Sequence, residues 1–225
     1  MKTDNSTITL NSPQIKFLSR YTTLPFVLDI LERRRIVLLP PDYWSDRNDS
    51  LVLQKYKQSM GLTCLLALCF TKGGDTIHHW NTFANGPAGC RIIFKAEPLL
   101  NAVNKAKGVR SGIVEYIKIN ELKRYSKVTN TWPFIKRWPY SCEDEFRIIY
   151  ESNNPRDCNK MELKFSIKLE WIDSIMINQS VPKNVFESIK DFIQSKVNVH
   201  VGPSYIQEHP TWLGKFNFDG KSDES

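Results

Sequence analysis

The sequence predicts a single α+β domain built on a mixed, mainly antiparallel sheet flanked by short helices. Its 225 residues, 41% hydrophobic and 24% charged, suffice for one soluble domain with a sizeable core. Predicted strands outnumber predicted helices, and the two do not alternate regularly as they would in a parallel α/β fold. No internal repeat or linker divides the chain, so we expect one domain over 14–219.

Both ends of the chain are polar. Residues 1–13 are rich in Ser, Thr and Asn and are expected to be flexible, and residues 220–225 are expected to form a disordered tail. The N-terminus lacks the apolar core of a signal peptide, and no apolar run reaches the roughly 20 residues of a membrane-spanning helix. These features predict a cytoplasmic protein with no membrane partner.

Short runs rich in β-branched and aromatic residues predict the strands. We expect strands at 15–18, 36–39, 62–71, 90–94, 112–119, 145–150, 161–167, 171–177 and 197–201. The run 62–71 is almost continuously apolar, which predicts a central strand that is buried on both faces.

Amphipathic spacing predicts four helices. The first follows Thr23, which can cap it, and Pro25 suits its first turn. The others are expected at 76–84, where Asp75 can cap the helix, and at 97–107 and 182–194. In the last helix, five apolar residues are expected to face the core: Val185, Phe186, Ile189, Phe192 and Ile193.

The polar loop 43–50 between the second strand and the central strand carries two aromatic residues. It is either a solvated turn or a flap over a ligand. Asn48 and Asp49 are expected to fix this loop through local side-chain bonds.

Several chemical classes have no support in the sequence. The five cysteines show no CxxC spacing, so neither a disulfide framework nor a zinc site is indicated. There is no GxxxxGK, GxGxxG, HExxH or GxSxG motif, which argues against phosphate-loop, zinc-protease and serine-hydrolase chemistry. We therefore expect no metal cofactor.

The formal net charge of +7 permits a polyanionic partner, although an ordinary surface with excess Lys would give the same value. The connector 120–139 concentrates cations and aromatic rings, a mixture that suits single-stranded nucleic acid. The candidate contacts are Lys123, Arg124, Lys127, Trp132, Lys136 and Arg137. The alternative is a basic loop whose aromatic rings anchor it to the core.

Three consecutive acids, Glu143, Asp144 and Glu145, precede the strand at 145–150. In an extended chain the two glutamates face the same side, and Asp144 is the outward-facing spacer between them. The acids are either catalytic groups in a cleft or protection for a strand end, paired with Arg147.

The order of these clusters resembles a bacterial domain-of-unknown-function family with the motifs FNDPFE, CFS, MWxxYA and WxxExEWR. Here Arg20-Tyr21 is followed by the matching segments Ser45 to Ser50, Cys69 to Thr71, His79 to Ala84, the Gly-rich strand Gly89 to Phe94, and Trp138 to Arg147. The resemblance covers about 19–150. The chain departs from that pattern where Ser50 replaces Pro, Phe83 replaces Tyr and Phe146 replaces Trp.

More distantly, the pattern is similar to the ADP-ribosyltransferase superfamily, which implies a split sheet and the use of NAD. The resemblance implies that Glu145 and Glu143 are catalytic. It implies NAD binding by the residues Arg20, Tyr21, Thr22, Trp80 and Phe83. In such chemistry a carboxylate stabilises the positive charge that builds on the ribose ring, and a second one acts as general base.

The resemblance implies an enzyme that transfers ADP-ribose from NAD to a macromolecule. The basic charge balance and the connector 120–139 favour RNA or DNA as the acceptor, whereas a protein acceptor or plain NAD hydrolysis would fit the same residues. The resemblance also implies a bacterial toxin or phage-defence effector, with an antitoxin protein as a candidate partner. The alternative is a non-enzymatic nucleic-acid-binding or regulatory module on the same fold.

Overall fold

A seven-stranded sheet forms the centre of the computed structural model, which describes residues 15–44, 46–157 and 162–216. The predicted flexible N-terminus and the predicted tail at 220–225 lie outside these residues. The strands are β1 (Phe17–Thr23), β2 (Arg35–Leu38), β3 (Cys64–Thr71), β4 (Gly89–Lys95), β5 (Val109–Ile113), β6 (Glu115–Ile117), β7 (Ile135–Arg137), β8 (Glu145–Ser152), β9 (Leu163–Ser166), β10 (Ile172–Ile177) and β11 (His200–Pro203).

The helices pack beside this sheet. They are α1 (Leu24–Arg33), α2 (Arg47–Ser59), α3 (Ile77–Phe83), α4 (Ala96–Val103), α5 (Leu122–Tyr125), α6 (Lys183–Lys196) and α7 (Pro210–Leu213). Among the helices described, none combines the length and the apolar character that crossing a bilayer demands.

The sheet order is β11-β10-β4-β1-β3-β8-β5, and its strands pair antiparallel except for the parallel pair β10 and β11. Two small sheets accompany it, β2 with β9 and β6 with β7. This architecture confirms the predicted α+β class with a mixed, mainly antiparallel sheet.

The sheet is split between β1 and β3. β1 pairs with β4 along its whole length, from Phe17 opposite Lys95 to Thr23 opposite Gly89. Toward β3, the pairing within the described residues is confined to Ser19 opposite Thr71. The two strands diverge beyond this pair, and the divergence leaves room for a cleft.

The core is continuous across the split. Leu18, Ile92, Phe94 and Ile148 are fully buried on the face that α1, α4 and α6 cover. The other face of β3 packs on Leu53 and its neighbours in α2, so β3 is buried on both faces as predicted. Each such side chain contributes about 1.5–3 kcal/mol through removal from water.

Helix α2 was not predicted, because the segment 43–50 was interpreted as a polar loop. Asp46 caps the helix, and its side chain accepts hydrogen bonds from the backbone N–H groups of Asn48 and Asp49 at 3.0 and 3.4 Å. The prediction that Asp49 fixes the loop locally is also wrong, since its carboxylate is buried and bonds to a distant strand.

Two predictions about other helices are wrong in detail. Thr76 caps α3, and its hydroxyl accepts from the His79 N–H at 3.2 Å, whereas Asp75 uses its carboxylate elsewhere. In α6, Ile193 is buried, but Val185 and Phe192 are 42% and 48% exposed rather than facing the core.

Candidate active site

A cleft of about 500 Å³ opens beside the split between β1 and β3. β1 contributes Arg20 and Tyr21 to its walls, and α3 contributes His78 and Phe83. Glu145, the first residue of β8, also lines this cleft. The split therefore brings residues from the start and the middle of the chain to one site.

Glu145 is 4% exposed, and it is surrounded by groups that stabilise its charge. Arg147 Nε donates to Glu145 Oε1 at 2.6 Å, and Lys136 Nζ lies 3.6 Å from Oε2. The backbone N–H of Glu145 donates to the Tyr116 hydroxyl at 2.9 Å. Burial opposes ionisation, but Arg147 and Lys136 outweigh it and hold the pKa of Glu145 below its ordinary value.

Glu143 ends the 3₁₀ turn Trp138–Glu143 and is 7% exposed. Its Oε2 accepts from Lys136 Nζ at 2.6 Å. Burial raises the pKa of Glu143 above its ordinary value, although Lys136 opposes the shift. The pKa of Glu143 is thus shifted upward, whereas the pKa of Glu145 is shifted downward.

The two glutamate side chains approach the same group, but the extended backbone that had been predicted to align them is absent between them. The chain between them is not extended, because Asp144 has a φ of 43° and lies in the left-handed region. The turn directs both carboxylates to Lys136, and Asp144 forms an ion pair with Lys72 away from them. Arg147 does pair with Glu145, as the alternative interpretation expected, but inside the cleft wall rather than at the surface.

Lys136 is the centre of a buried acidic cluster, which contradicts its predicted role in contacting nucleic acid. Its Nζ lies within 3.7 Å of a carboxylate oxygen of Asp46, Asp49, Glu143 and Glu145. Burial opposes its charge, but Glu145, Asp49 and Glu143 together raise its pKa. The ammonium therefore stays charged and holds the two glutamates close together.

The Arg147 guanidinium is fully buried behind the site. It bonds to both oxygens of Asp49, to Glu145 and to the carbonyl oxygen of Pro133, and it lies 5.0 Å from the Trp44 ring centroid. One signal in the sequence could have revealed this network, since an Arg inside an apolar strand requires acidic partners.

Arg20, Tyr21 and Thr22 line the same cleft as the glutamates. Arg20 Nη1 donates across the split to the carbonyl oxygen of Cys69 at 3.2 Å. Tyr21 donates to Asp75 at 2.5 Å, and its ring stacks on His79 with centroids 4.8 Å apart. Thr22 lines the cleft but is 6% exposed.

The two aromatic residues predicted to contact NAD occupy different environments. Trp80 is 1% exposed, and its indole N–H donates to Asp75 at 2.7 Å. It is not among the residues that line the cleft in the described part of the chain. Trp80 therefore supports Tyr21 and does not offer a ring face to a ligand. Phe83 is 41% exposed and lines the cleft. His78 and Tyr140 also line the cleft, and Tyr140 had not been predicted as a site residue.

The remaining cations of the connector lie on the surface. Lys123, Arg124, Lys127 and Arg137 are exposed. Trp132 is partly buried against Leu53 and its neighbours, so it anchors the connector to the core and does not present a ring for stacking. Beside Arg137, Trp138 is 51% exposed, with Lys118 Nζ 5.5 Å from its ring centroid.

A metal site is not evident: within 15–44, 46–157 and 162–216, no group of three or more His, Cys, Asp or Glu side chains could hold a metal ion. No protein-family model matches the sequence, so the resemblance in motif order stays a prediction. A search of curated proteins also gives no match.

Solved structures of Thermus sp. 2.9 DarT are similar to this chain. The complex with ADP-ribosylated ssDNA has a TM-score of 0.42 and 13% identity, over 85% of this chain and 95% of that chain. The complex with NAD+ has a TM-score of 0.41 and 10% identity, over 85% of this chain and 96% of that chain. At these values the likeness establishes neither an activity nor a substrate for this chain.

Proposed function

We propose that this protein is an ADP-ribosyltransferase that uses NAD as its substrate and modifies a macromolecule. The observation that supports this most directly is the arrangement of the cleft. A buried carboxylate with a lowered pKa, Glu145, lies in the same cleft as Arg20, and the two belong to opposite sides of a split sheet.

The charge of Glu145 suits the reaction. Breaking the bond between nicotinamide and ribose builds positive charge on the ribose ring, and a carboxylate fixed beside the ring stabilises that charge in the transition state. Arg147 and Lys136 hold Glu145 ionised and in place before the substrate enters. A preorganised group of this kind requires no reorganisation during the reaction.

Glu143 supplies the second function. A general base works best when its pKa approaches the working pH, and burial moves the pKa of Glu143 in that direction. Since Lys136 bonds to Glu143 at 2.6 Å and contacts Glu145 at 3.6 Å, the base lies next to the group that stabilises the ribose.

Other residues of the cleft provide groups for the rest of NAD. Arg20 can pair with the pyrophosphate, and the exposed ring of Phe83 offers a stacking surface. The ring of Tyr21 is already stacked on His79 and its hydroxyl is bonded to Asp75, so we assign Tyr21 to shaping the wall.

For the acceptor we propose a nucleic acid. Lys123, Arg124, Lys127 and Arg137 are exposed, and Trp138 is an exposed ring beside Arg137. Arg137 directly precedes the turn Trp138–Glu143, so this surface leads to the cleft. RNA is the acceptor that we propose to test first, with a role as a bacterial toxin or phage-defence effector that an antitoxin protein restrains.

The proposal is tested by adding labelled NAD together with RNA, DNA or a cell extract. Wild type should bind NAD in calorimetry, release nicotinamide and label one of the acceptors. Glu145→Gln should abolish release and labelling, whereas Asp144→Asn, in the same turn but outside the acidic cluster, should retain both.

Failure of wild type to bind NAD would contradict the enzymatic proposal. If the protein then still binds RNA, and Arg137→Met weakens that binding while Glu145→Gln does not, the non-enzymatic binding module is the better description.

A further inference from the structure

His79 on α3 is a buried histidine with a hydrogen-bond partner for each ring nitrogen. The residue is 2% exposed. Its Nδ1 lies 2.7 Å from the Thr76 hydroxyl, and its Nε2 lies 3.0 Å from the backbone carbonyl oxygen of Glu143. By contrast, Nε2 of the adjacent His78 has no hydrogen-bond partner among the described residues. His79 therefore joins α3 to the turn that carries Glu143.

The partners of His79 determine which ring nitrogen carries the proton. A carbonyl oxygen can only accept a hydrogen bond, so the Nε2 atom that faces Glu143 must be protonated. The Thr76 hydroxyl oxygen already accepts from the backbone N–H of His79 at 3.2 Å, and its own proton can donate to Nδ1. Burial lowers the pKa of His79, which favours the same neutral ring. His79 is thus a neutral imidazole that donates from Nε2 to the backbone of Glu143.

The plane of this imidazole is held by Tyr21. The two rings stack with centroids 4.8 Å apart and 11° between their planes. The Tyr21 hydroxyl donates to Asp75 at 2.5 Å, and the same carboxylate oxygen accepts from the indole N–H of Trp80 at 2.7 Å. Rotation of the His79 ring would break this stacking and both of its hydrogen bonds, so its Nε2–H has a fixed direction.

Glu143 is held both at its carboxylate and at its backbone. Lys136 Nζ donates to Oε2 at 2.6 Å, and His79 donates to the carbonyl oxygen. Asp144, the next residue, has a φ of 43° and lies in the left-handed region, where a residue other than glycine persists only if its surroundings hold it. The bond from His79 is one of the contacts that keep this turn, and the Glu143 carboxylate with it, in position.

We propose that His79 is a positioning residue, which acts through the backbone of Glu143 and holds its carboxylate where the acceptor loses its proton. This inference rests on the proposed function, in which Glu143 is the general base. The acceptor forms a bond to C1′ of the ribose, and the bond from C1′ to nicotinamide breaks with its electron pair going to the nicotinamide nitrogen. The proton of the acceptor goes to the Glu143 carboxylate and from there to solvent.

The test compares two substitutions of similar size at position 79. His79→Leu fills the space without an N–H group, whereas His79→Gln keeps an N–H donor near the place of Nε2. Asn81→Ala, at an exposed residue of α3 that is outside the described cleft wall, is the control. NAD affinity is measured by calorimetry, and transfer is measured with a mixed-sequence single-stranded RNA and the DNA of the same sequence. If neither is labelled, nicotinamide release with water as acceptor is compared instead.

His79→Leu should lower kcat about tenfold or more with little change in NAD affinity, because a misplaced base slows only the step in which it acts. His79→Gln should recover part of this loss, and Asn81→Ala should match wild type.

The acid limb of the rate profile gives a readout that overall stability does not move. Burial is the main cause that raises the pKa of Glu143, and a carboxylate that is no longer held becomes less buried. The limb should therefore move to lower pH in His79→Leu and return in His79→Gln. The other titratable groups that act on Glu143 are Lys136, Glu145 and His78, and both variants retain them.

Normal NAD affinity would show that His79→Leu is folded. If that variant then has the rate and the acid limb of wild type, the inference is wrong and the proposed function stands. A His79→Gln variant as slow as His79→Leu would also overturn it, because the N–H donor would then not matter.

Nitrogen NMR of wild type supplies a measurement that does not depend on a folded variant or on activity. The His79 ring should be protonated at Nε2 at neutral pH, and a ring without that proton would overturn the inference. A wild-type protein that does not bind NAD would remove the proposed function and this inference together. That outcome is distinguishable from the others, since it appears before any variant is compared.

Discussion

The Arg147 guanidinium and the Asp49 carboxylate are joined by two hydrogen bonds, of 3.1 and 2.6 Å, across 98 residues of chain. Both residues are buried, at 0% and 4% exposure. The pair connects the first turn of α2 to β8, directly behind Glu145. The same guanidinium therefore supports a helix and the candidate catalytic acid.

Removing this guanidinium should destabilise the fold strongly. Arg147→Met leaves the buried acids Asp49 and Glu145 without their principal cation, and loss of one partner of a buried ion pair costs about 3–5 kcal/mol. We expect a loss of that size in the free energy of unfolding, measured by urea denaturation with tryptophan fluorescence. Arg124→Met, at an exposed site, is the control and should change little.

A compensated variant sharpens this test. Combining Arg147→Met with Asp49→Leu should recover part of the loss, because the second change removes a buried charge that the first one leaves unpaired. Equal stability of Arg147→Met and Arg124→Met would show that the network does not stabilise the protein.

Acid should remove the stabilisation that Glu145 provides. Its pKa is lower in the folded protein than the ordinary glutamate value of about 4.3, so this contribution is present above that value. It is lost as the pH falls through the folded pKa. The difference in unfolding free energy between wild type and Glu145→Gln should therefore shrink below about pH 4.3.

Urea denaturation at a series of pH values from neutral to acidic measures this difference. Glu170→Gln, at an acid whose side chain is 71% exposed, serves as the control and should parallel wild type. A difference for Glu145→Gln that stays constant with pH would contradict the prediction.

The pH dependence of transfer should report Glu143. The proposed base must be deprotonated to act, so the rate should rise with pH through the pKa of Glu143, which burial raises above its ordinary value. The midpoint of the acid limb should accordingly lie above about 4.3. Glu143→Gln should lower the rate about 100-fold and abolish this limb.

Lys136→Met provides a second measurement on the same profile. Lys136 lowers the pKa of Glu143, so its removal should move the acid limb to higher pH. An acid limb that is unchanged in both Glu143→Gln and Lys136→Met would assign the titration to another group.

Phe83 should contribute to NAD affinity through its exposed ring. Loss of a stacking ring costs about 1–3 kcal/mol in comparable sites, which is roughly five- to 150-fold in dissociation constant. We expect Phe83→Ala to weaken NAD binding within that range in calorimetry, whereas Phe83→Tyr should bind like wild type. Phe192→Ala, at an exposed ring on α6, is the matched control, and an equal affinity of both alanine variants would contradict the prediction.

The elements that bury one regular face were predictable from the sequence. The apolar run of β3 predicted a doubly buried strand, and Thr23 with Pro25 predicted the start of α1. Helix α2 was missed because Leu53 and Tyr56 are its buried apolar residues, while its other buried residues are Asp49 and Ser50. Since Asp49 is buried by a partner 98 residues away, local spacing could not reveal it.

The site was also only partly predictable from the sequence, because its residues come together only in the folded chain. Sequence order placed Glu145, Arg20 and Tyr21 as candidates, and the structure brings them to one cleft. Lys136 was interpreted as a surface cation, because only the fold shows that the acids beside it come from 46–49 and 143–145. The difference between His78 and His79 likewise depends on contacts that adjacent sequence positions do not encode.

The pairing of Ser19 with Thr71, to which the contact between β1 and β3 as paired strands is confined among the described residues, also has a mechanical meaning. The sheet therefore consists of two halves that meet at this pair of residues. Arg20 lies on one half and Glu145 on the other. A small rotation of one half relative to the other would change the distance between Arg20, which is proposed to hold NAD, and Glu145, which is proposed to act on it. Substitutions at Ser19 or Thr71, which both line the cleft, should consequently alter turnover.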